Sequence, residues 1–374
     1  MRIGIDARLY SRTGPGRYIR NLITHLQKID TKNQYFIFLL KEDLASFKPS
    51  KNFKPVTANF KWYGFEEQVK FPPILRKYNL DLVHFPHFNI PILYTGKYVV
   101  TIHDFIHYDF KMQRASTRNP FIYELKNMVH KQVVNQAARG AKKIITVSHF
   151  VENELITRVN VKREKIVVTY EAADEELIAV VKKIDKVDQK KVLDKFGINQ
   201  PFIMYVGNAH PHKNVEGLIK AFVELRKKYQ YLQLVLVGNE GPFWKKIRTD
   251  FNLKDIIYLE NLSDKELATV YKSAQAYVFP SFSEGFGLPL LEAMACGTPV
   301  VSSDKTSLPE IGGEAAIYFD PSNLDDMVVK IEKVLNDQKL RKDLIEKGNK
   351  RIKDFSWQKM AKQTLDIYNT SLDG

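Results

Sequence analysis

Seven residues separate Glu284 from Glu292, and they read Gly285-Phe286-Gly287-Leu288-Pro289-Leu290-Leu291. Glycines let backbone N–H groups approach a ligand closely. A helix opening straight after them turns unpaired N–H groups and a positive dipole end towards an anion, most naturally a phosphate. On this reading Glu284 lies in the loop at the reacting end, and the backbone from Gly285 to Leu288 faces the phosphate. Glu292 stands two helical turns along, about 10 Å away at 1.5 Å per residue. That spacing suits a ligand with a sugar at one end, a diphosphate in the middle and a ribose at the other. A second segment, Tyr205-Val206-Gly207-Asn208-Ala209-His210-Pro211-His212-Lys213-Asn214, follows a clear strand and precedes a helix. A cation placed there, Lys213, would offset the negative charge of a diphosphate.

These residues need a scaffold. The chain has 374 residues and is 44% hydrophobic, which fits two domains better than one. Apolar runs at 2–6, 35–40, 82–85, 99–103, 144–148 and 166–169 read as strands, and a second array follows at 202–206, 232–237, 256–259, 276–279, 299–302 and 316–319. Helical runs such as 18–28 and 120–138 lie between them, and a final helix runs near 357–371. Runs that are apolar on both faces argue for buried parallel strands flanked by helices. Two such arrays imply an α/β protein with two doubly wound Rossmann-like sheets. The stretch 181–200, rich in Lys and Asp and closed by Pro201, reads as the linker.

No segment approaches the roughly 20 apolar residues of a membrane span, and Met1-Arg2-Ile3-Gly4-Ile5-Asp6 enters a strand rather than a signal peptide. The single cysteine, Cys296, reads as a small core residue in a reducing compartment. The net charge of +14 is mostly that of lysine-rich helix faces such as 330–362. Residues 110–143 differ: eight Lys and Arg stand among Phe110, Phe121, Tyr123 and Met128 with only Glu124 opposing them. Such a segment suits an anionic membrane surface, and equally a solvated helix face. His84, His87 and His107 match no compact metal signature, so no metal site is expected. Asp325-Asp326 reads as charge at a helix start.

The stretch from Glu284, continued by Met294-Ala295-Cys296-Gly297-Thr298-Pro299-Val300-Val301, resembles the family-4 glycosyltransferases of the GT-B fold. The resemblance implies two domains facing a cleft. Residues 1–180 would bind the acceptor, 201–355 the nucleotide sugar, and 356–374 would form a helix packing back on the first domain. Lys213 fits the family pattern after Gly207, whereas Asn208 stands where the family usually has arginine. An amide donates hydrogen bonds but carries no charge, and His210, His212 or another basic residue would have to compensate. Thr13-Gly14-Pro15-Gly16-Arg17-Tyr18 resembles the loop by which mannosyltransferase-like members cover diphosphate and sugar, with Gly14 and Gly16 allowing close approach. Thr101-Ile102-His103-Asp104-Phe105 resembles the family's His-Asp-Leu motif, which would set His103 beside the donor sugar. Val147-Ser148-His149-Phe150 and Tyr170-Glu171-Ala172-Ala173-Asp174 read as structural.

The family implies transfer of a hexose with retention of configuration and without metal or other cofactor. The opening segment favours GDP-mannose, with UDP-hexoses close behind. A glycan or lipid-linked acceptor is the expected partner, in the cytoplasm or on the inner face of the membrane. Competing readings are a GT-B epimerase or hydrolase and a non-catalytic nucleic-acid binder. The last lacks a recognisable module, and its two glutamates would repel a phosphate backbone.

Overall fold

A computed structural model of the chain describes residues 1–12, 14–109, 131–251 and 253–372. They form two compact units. One comprises Met1–Tyr108 with residues 131–171 and 356–372, and the other comprises Ala172–Phe355.

The first unit holds seven strands: β1 (Arg2–Asp6), β2 (Gln34–Leu39), β3 (Phe53–Thr57), β4 (Leu82–Phe85), β5 (Tyr98–Ile102), β6 (Lys143–Thr146) and β7 (Ile166–Val168). All pair in parallel, in the order β3-β2-β1-β4-β5-β6-β7. The second unit repeats the plan with β8 (Phe202–Val206), β9 (Gln233–Val237), β10 (Ile256–Leu259), β11 (Ala276–Phe279), β12 (Val300–Ser303) and β13 (Ala316–Phe319) in the order β10-β9-β8-β11-β12-β13. Both sheets are buried on both faces, which explains their near-continuous apolar strands. In each, the chain winds outward to one edge and then returns to the other side of its first strand. The order therefore reverses between β1 and β4, and between β8 and β11. Loops leaving two such strands part company, and the crevice between their carboxyl ends is where open sheets bind ligands.

Three departures from the sequence reading have physical causes. Strand β3 carries Pro55 and buries only Phe53 and Val56. It is an edge strand, the position where proline is tolerated. The stretch 181–200, expected as a linker, holds the helix Lys186–Phe196, capped by the Asp185 side chain and closed by Gly197 at φ 65°. Its charges face solvent while Val192 and Leu193 are buried, and Asp188 and Lys195 pair with Lys265 and Glu266. The division between the units falls earlier, at Glu171–Ala172. Within 110–143, residues 110–130 lie outside the described part, and 131–140 are helical.

The last helix, Trp357–Thr370, belongs to the first unit and packs against the helix Pro15–Ile29. Its Tyr368 hydroxyl meets His84 Nδ1 at 2.6 Å, His84 Nε2 meets Thr101 Oγ1 at 2.8 Å, and Thr101 meets the Tyr18 hydroxyl at 3.2 Å. Burial, with the nearby His103 charge, pulls His84 down to about 3, so this chain runs through a neutral imidazole. Cys296 is buried at the end of the helix Leu288–Ala295, where burial pushes its thiol up. Asp325 and Asp326 occupy the first turn of the helix Leu324–Asn336.

Candidate functional site

The switch point of the second sheet carries Lys213 and Glu284 on its two diverging loops. After β8, Asn208 ends an extended segment, its Oδ1 accepting the His210 N–H at 3.2 Å. A single 3-10 turn, Pro211–Lys213, then delivers the lysine. After β11, the chain crosses to meet it: the Phe282 N–H donates to the His212 carbonyl at 2.7 Å. Lys213 Nζ donates to both oxygens of Glu284, at 2.6 and 2.8 Å. The pair is largely sheltered, with side chains 15% and 8% exposed. Lys213 also lies 5.8 Å from the centre of the Phe279 ring.

A third loop, following β12, fixes the carboxylate's backbone. Thr306 Oγ1 accepts the Glu284 N–H at 3.0 Å, and Ser307 Oγ donates to the carbonyls of Glu284 and Phe286 at 3.0 and 3.1 Å. Sequence reading missed both residues. Their only signal is an Asp-Lys-Thr-Ser run directly after a strand.

The glycine segment turns before it coils. Gly287 is held at φ 105°, where a Cβ would stand 2.7 Å from Leu308 Cδ2. The helix begins only at Leu288. Glu292 is therefore one turn into that helix, not two, with about 6 Å of rise separating it from Leu288. The correction follows from Gly285 to Gly287 staying in the loop. Glu292 is buried, and one of its oxygens accepts the Tyr271 hydroxyl at 3.3 Å.

Of the residues proposed to replace the missing arginine, His212 is buried with its ring stacked parallel to His210, centroids 5.9 Å apart. Asn208 is exposed, and its carbonyl accepts the Tyr205 hydroxyl at 2.7 Å.

In the first unit, Gly14 at φ 63° precedes the helix Pro15–Ile29. A Cβ on Gly16 would lie 2.5 Å from the Leu9 carbonyl oxygen, so the turn itself demands glycine there. His103 follows β5. Its Nε2 donates to the Pro86 carbonyl at 3.0 Å, and its Nδ1 lies 3.3 Å from Glu171 Oε1. Two acceptors favour an imidazolium with both nitrogens protonated. Burial pulls His103 down, but Glu171 and the Pro86 carbonyl outweigh it and leave the ring above its usual value. The segment around Glu171, read as structural, thus supplies the partner of a candidate catalytic residue. The distant histidine was not visible from the residues around Glu171.

Among the described residues, no three His, Cys, Asp or Glu side chains gather as a metal cluster would. His84 is committed to Tyr368 and Thr101, and the side chain of His107 lies outside the described part. What the second unit offers is an ion pair whose lysine can turn to a phosphate and whose carboxylate can accept sugar hydroxyls.

Comparisons with known proteins agree with this chemistry. The family description "Glycosyl transferases group 1" matches residues 188–351, and "Glycosyltransferase Family 4" matches residues 12–177. O-antigen chain mannosyltransferase B of Escherichia coli is 32% identical over 303 residues, which cover 79% of this chain and 75% of that protein. O-antigen chain mannosyltransferase RfbU of Salmonella typhimurium is 27% identical over 266 residues, 70% and 67% of the two chains. Among solved structures, Anabaena HepE in complex with UDP-glucose aligns with a TM-score of 0.76 at 16% identity, over 99% of this chain and 100% of that one. That likeness shows the fold alone.

Proposed function

The chain belongs to the group 1 glycosyl transferases, the family-4 enzymes of the GT-B fold, and from that premise we propose that it transfers mannose from GDP-mannose to a hydroxyl of a growing or lipid-linked glycan, retaining the anomeric configuration. The mannosyl assignment is supported by the O-antigen mannosyltransferases among its relatives. The observation that carries the donor reading is the Lys213–Glu284 pair at the second sheet's switch point.

In this mechanism Lys213 is the cation that meets the departing diphosphate. A preorganised charge in a sheltered site stabilises developing negative charge more than it would in water. On donor binding the lysine exchanges a carboxylate for a phosphate, and Glu284 is released to accept hydroxyls of the transferred sugar. The backbone from Gly285 to Leu288, with Gly207 and Asn208 on the neighbouring loop, completes the diphosphate contacts. Glu292 accepts ribose hydroxyls. His103 and the loop from Gly14 to Gly16 are the first unit's proposed contribution, His103 as an imidazolium. No residue is assigned as covalent nucleophile; return of the acceptor on the face the phosphate leaves, with that phosphate as base, is the proposed route to retention. No metal or cofactor enters it.

The acceptor side belongs to the first unit, and residues 110–143 are the proposed contact with an anionic membrane surface. No helix among the described residues is long and apolar enough to cross a membrane.

A thermal-shift panel of nucleotide sugars tests the donor, since a ligand that binds only the folded state raises stability with its concentration. GDP-mannose should stabilise the chain most. Stabilisation by a UDP-hexose alone would move the enzyme to the UDP class. Product analysis with and without acceptor then separates a transferase from an epimerase or hydrolase.

A further inference from the structure

The first sheet has a switch point of its own, between the loops that leave β1 and β4. Arg8, two residues beyond β1, is 2% exposed. Its Nε and Nη2 donate to Asp6 at 2.8 and 2.7 Å, and Nη2 also donates to Glu67 at 2.5 Å. The guanidinium lies 4.3 Å from the centre of the Phe71 ring and 5.0 Å from that of Phe60. Glu67 is itself saturated: Asn89 Nδ2 donates to both its oxygens and the Tyr63 N–H to one. Within this network Arg8 Nη1 is buried and has no hydrogen-bond partner among the described residues. A buried donor left without an acceptor is costly, a cost that a bound acceptor atom would remove.

A pocket opens at this place, lined by Asp6, Arg8, Trp62, Pro86, His87 and Asn89 among others. The space that a water-sized group can occupy is about 10 Å³, room for one hydroxyl. The rest of a saccharide ring would lie outside it, beside Trp62.

Charge selects the ligand class. Two carboxylates surround one guanidinium, so the group as a whole is negative. A phosphate would meet Asp6 and Glu67 before it met an unshared cation. A sugar hydroxyl meets no such barrier, because it can accept from a guanidinium and donate to a carboxylate. Trp62 adds an apolar ring beside the polar groups, a combination suited to the C–H face of a saccharide. Its known neighbour Arg12 sits 5.2 Å from the ring centre and is balanced by Glu42.

We propose that Asp6, Arg8 and Trp62 form an acceptor subsite for a neutral saccharide unit. The assignment rests on the transferase reading for the class of acceptor. It is tested on the full chain by saturation-transfer NMR with no nucleotide sugar present. Methyl α-mannoside and a mannose disaccharide are the neutral probes, and mannose 1-phosphate is the anionic one. The neutral probes should bind the native chain and prevail over mannose 1-phosphate. Trp62→Ala should weaken them about tenfold, as loss of an aromatic face implies, while Trp62→Phe should keep most of the binding. Asp6→Asn should weaken them too; if that variant fails to fold, the half-buried Trp62 still decides. Unchanged affinity in Trp62→Ala, preference for mannose 1-phosphate, or no binding of either neutral probe would overturn the assignment. Donor recognition plays no part in the measurement. Saccharide binding by a chain that transfers nothing would sink the transferase reading and leave the subsite standing.

Discussion

Lys213 and Glu284, on loops that leave neighbouring strands β8 and β11, are joined by two hydrogen bonds of 2.6 and 2.8 Å. The contact makes one side chain's fate depend on the other's. Glu284→Gln keeps the shape and a hydrogen-bond acceptor but removes the charge. Transfer should fall by about a hundredfold, the scale of losing one preorganised electrostatic contact, with an unchanged circular dichroism spectrum. Near-normal turnover would take Glu284 out of the site.

The same pair predicts a stability cycle. Lys213→Met leaves a carboxylate 8% exposed and unpaired, and should cost about 3 kcal/mol, the lower end for breaking a sheltered pair. Adding Glu284→Gln removes the stranded charge and should recover much of the loss. Urea unfolding of the two single variants and the double variant measures the coupling; strictly additive effects would show that the pair contributes nothing as a unit.

His84 predicts an acid-side slope. Its folded value is pulled to about 3, below the ordinary 6.5 of the unfolded chain. The buried neutral ring therefore favours the folded state above pH 6.5, and that advantage is lost as pH falls from 6.5 towards 3. Over the first 1.5 units the loss is about 2 kcal/mol. His103, raised rather than lowered, adds no slope there, because its pair with Glu171 is complete below pH 6.5. His84→Gln should be less stable at pH 7 but lose less on acidification to pH 5. Parallel curves for the two proteins would contradict the assignment.

His103 and Glu171 give the opposite sign. Their mutual stabilisation is present below pH 6.5 and disappears as pH rises through the raised value of His103. In Glu171→Gln only the Pro86 carbonyl and Asp104 still oppose burial, so the ring should titrate lower than in the native chain. Following the His103 ring protons by NMR across this range checks the direction. An unaltered titration in the variant would remove Glu171 as the cause.

Much of this was legible in the sequence because the physics is local. Apolar runs such as 202–206 and 276–279 are strands because a parallel sheet buries both faces. Lys213 and Glu284 were recognisable from the segments around them, although their contact spans 71 positions. What escaped depended on long-range packing. Strand β3 hides behind Pro55 because only its edge position permits it. The helix Lys186–Phe196 looks like a linker until its pairs with Lys265 and Glu266 are seen. Glu171 and Ser307 matter through partners that no spacing rule links to them. Glu292 was placed one turn too far because the left-handed Gly287 delays the helix.

Calorimetric titration of GDP into the native chain and into Lys213→Ala tests the central claim most directly. A charged hydrogen bond to phosphate contributes about 1.5–3 kcal/mol, so the native chain should bind GDP and the variant should bind it at least about tenfold more weakly. Equal affinities, or no binding of GDP or UDP by the native chain, would contradict a diphosphate site at Lys213.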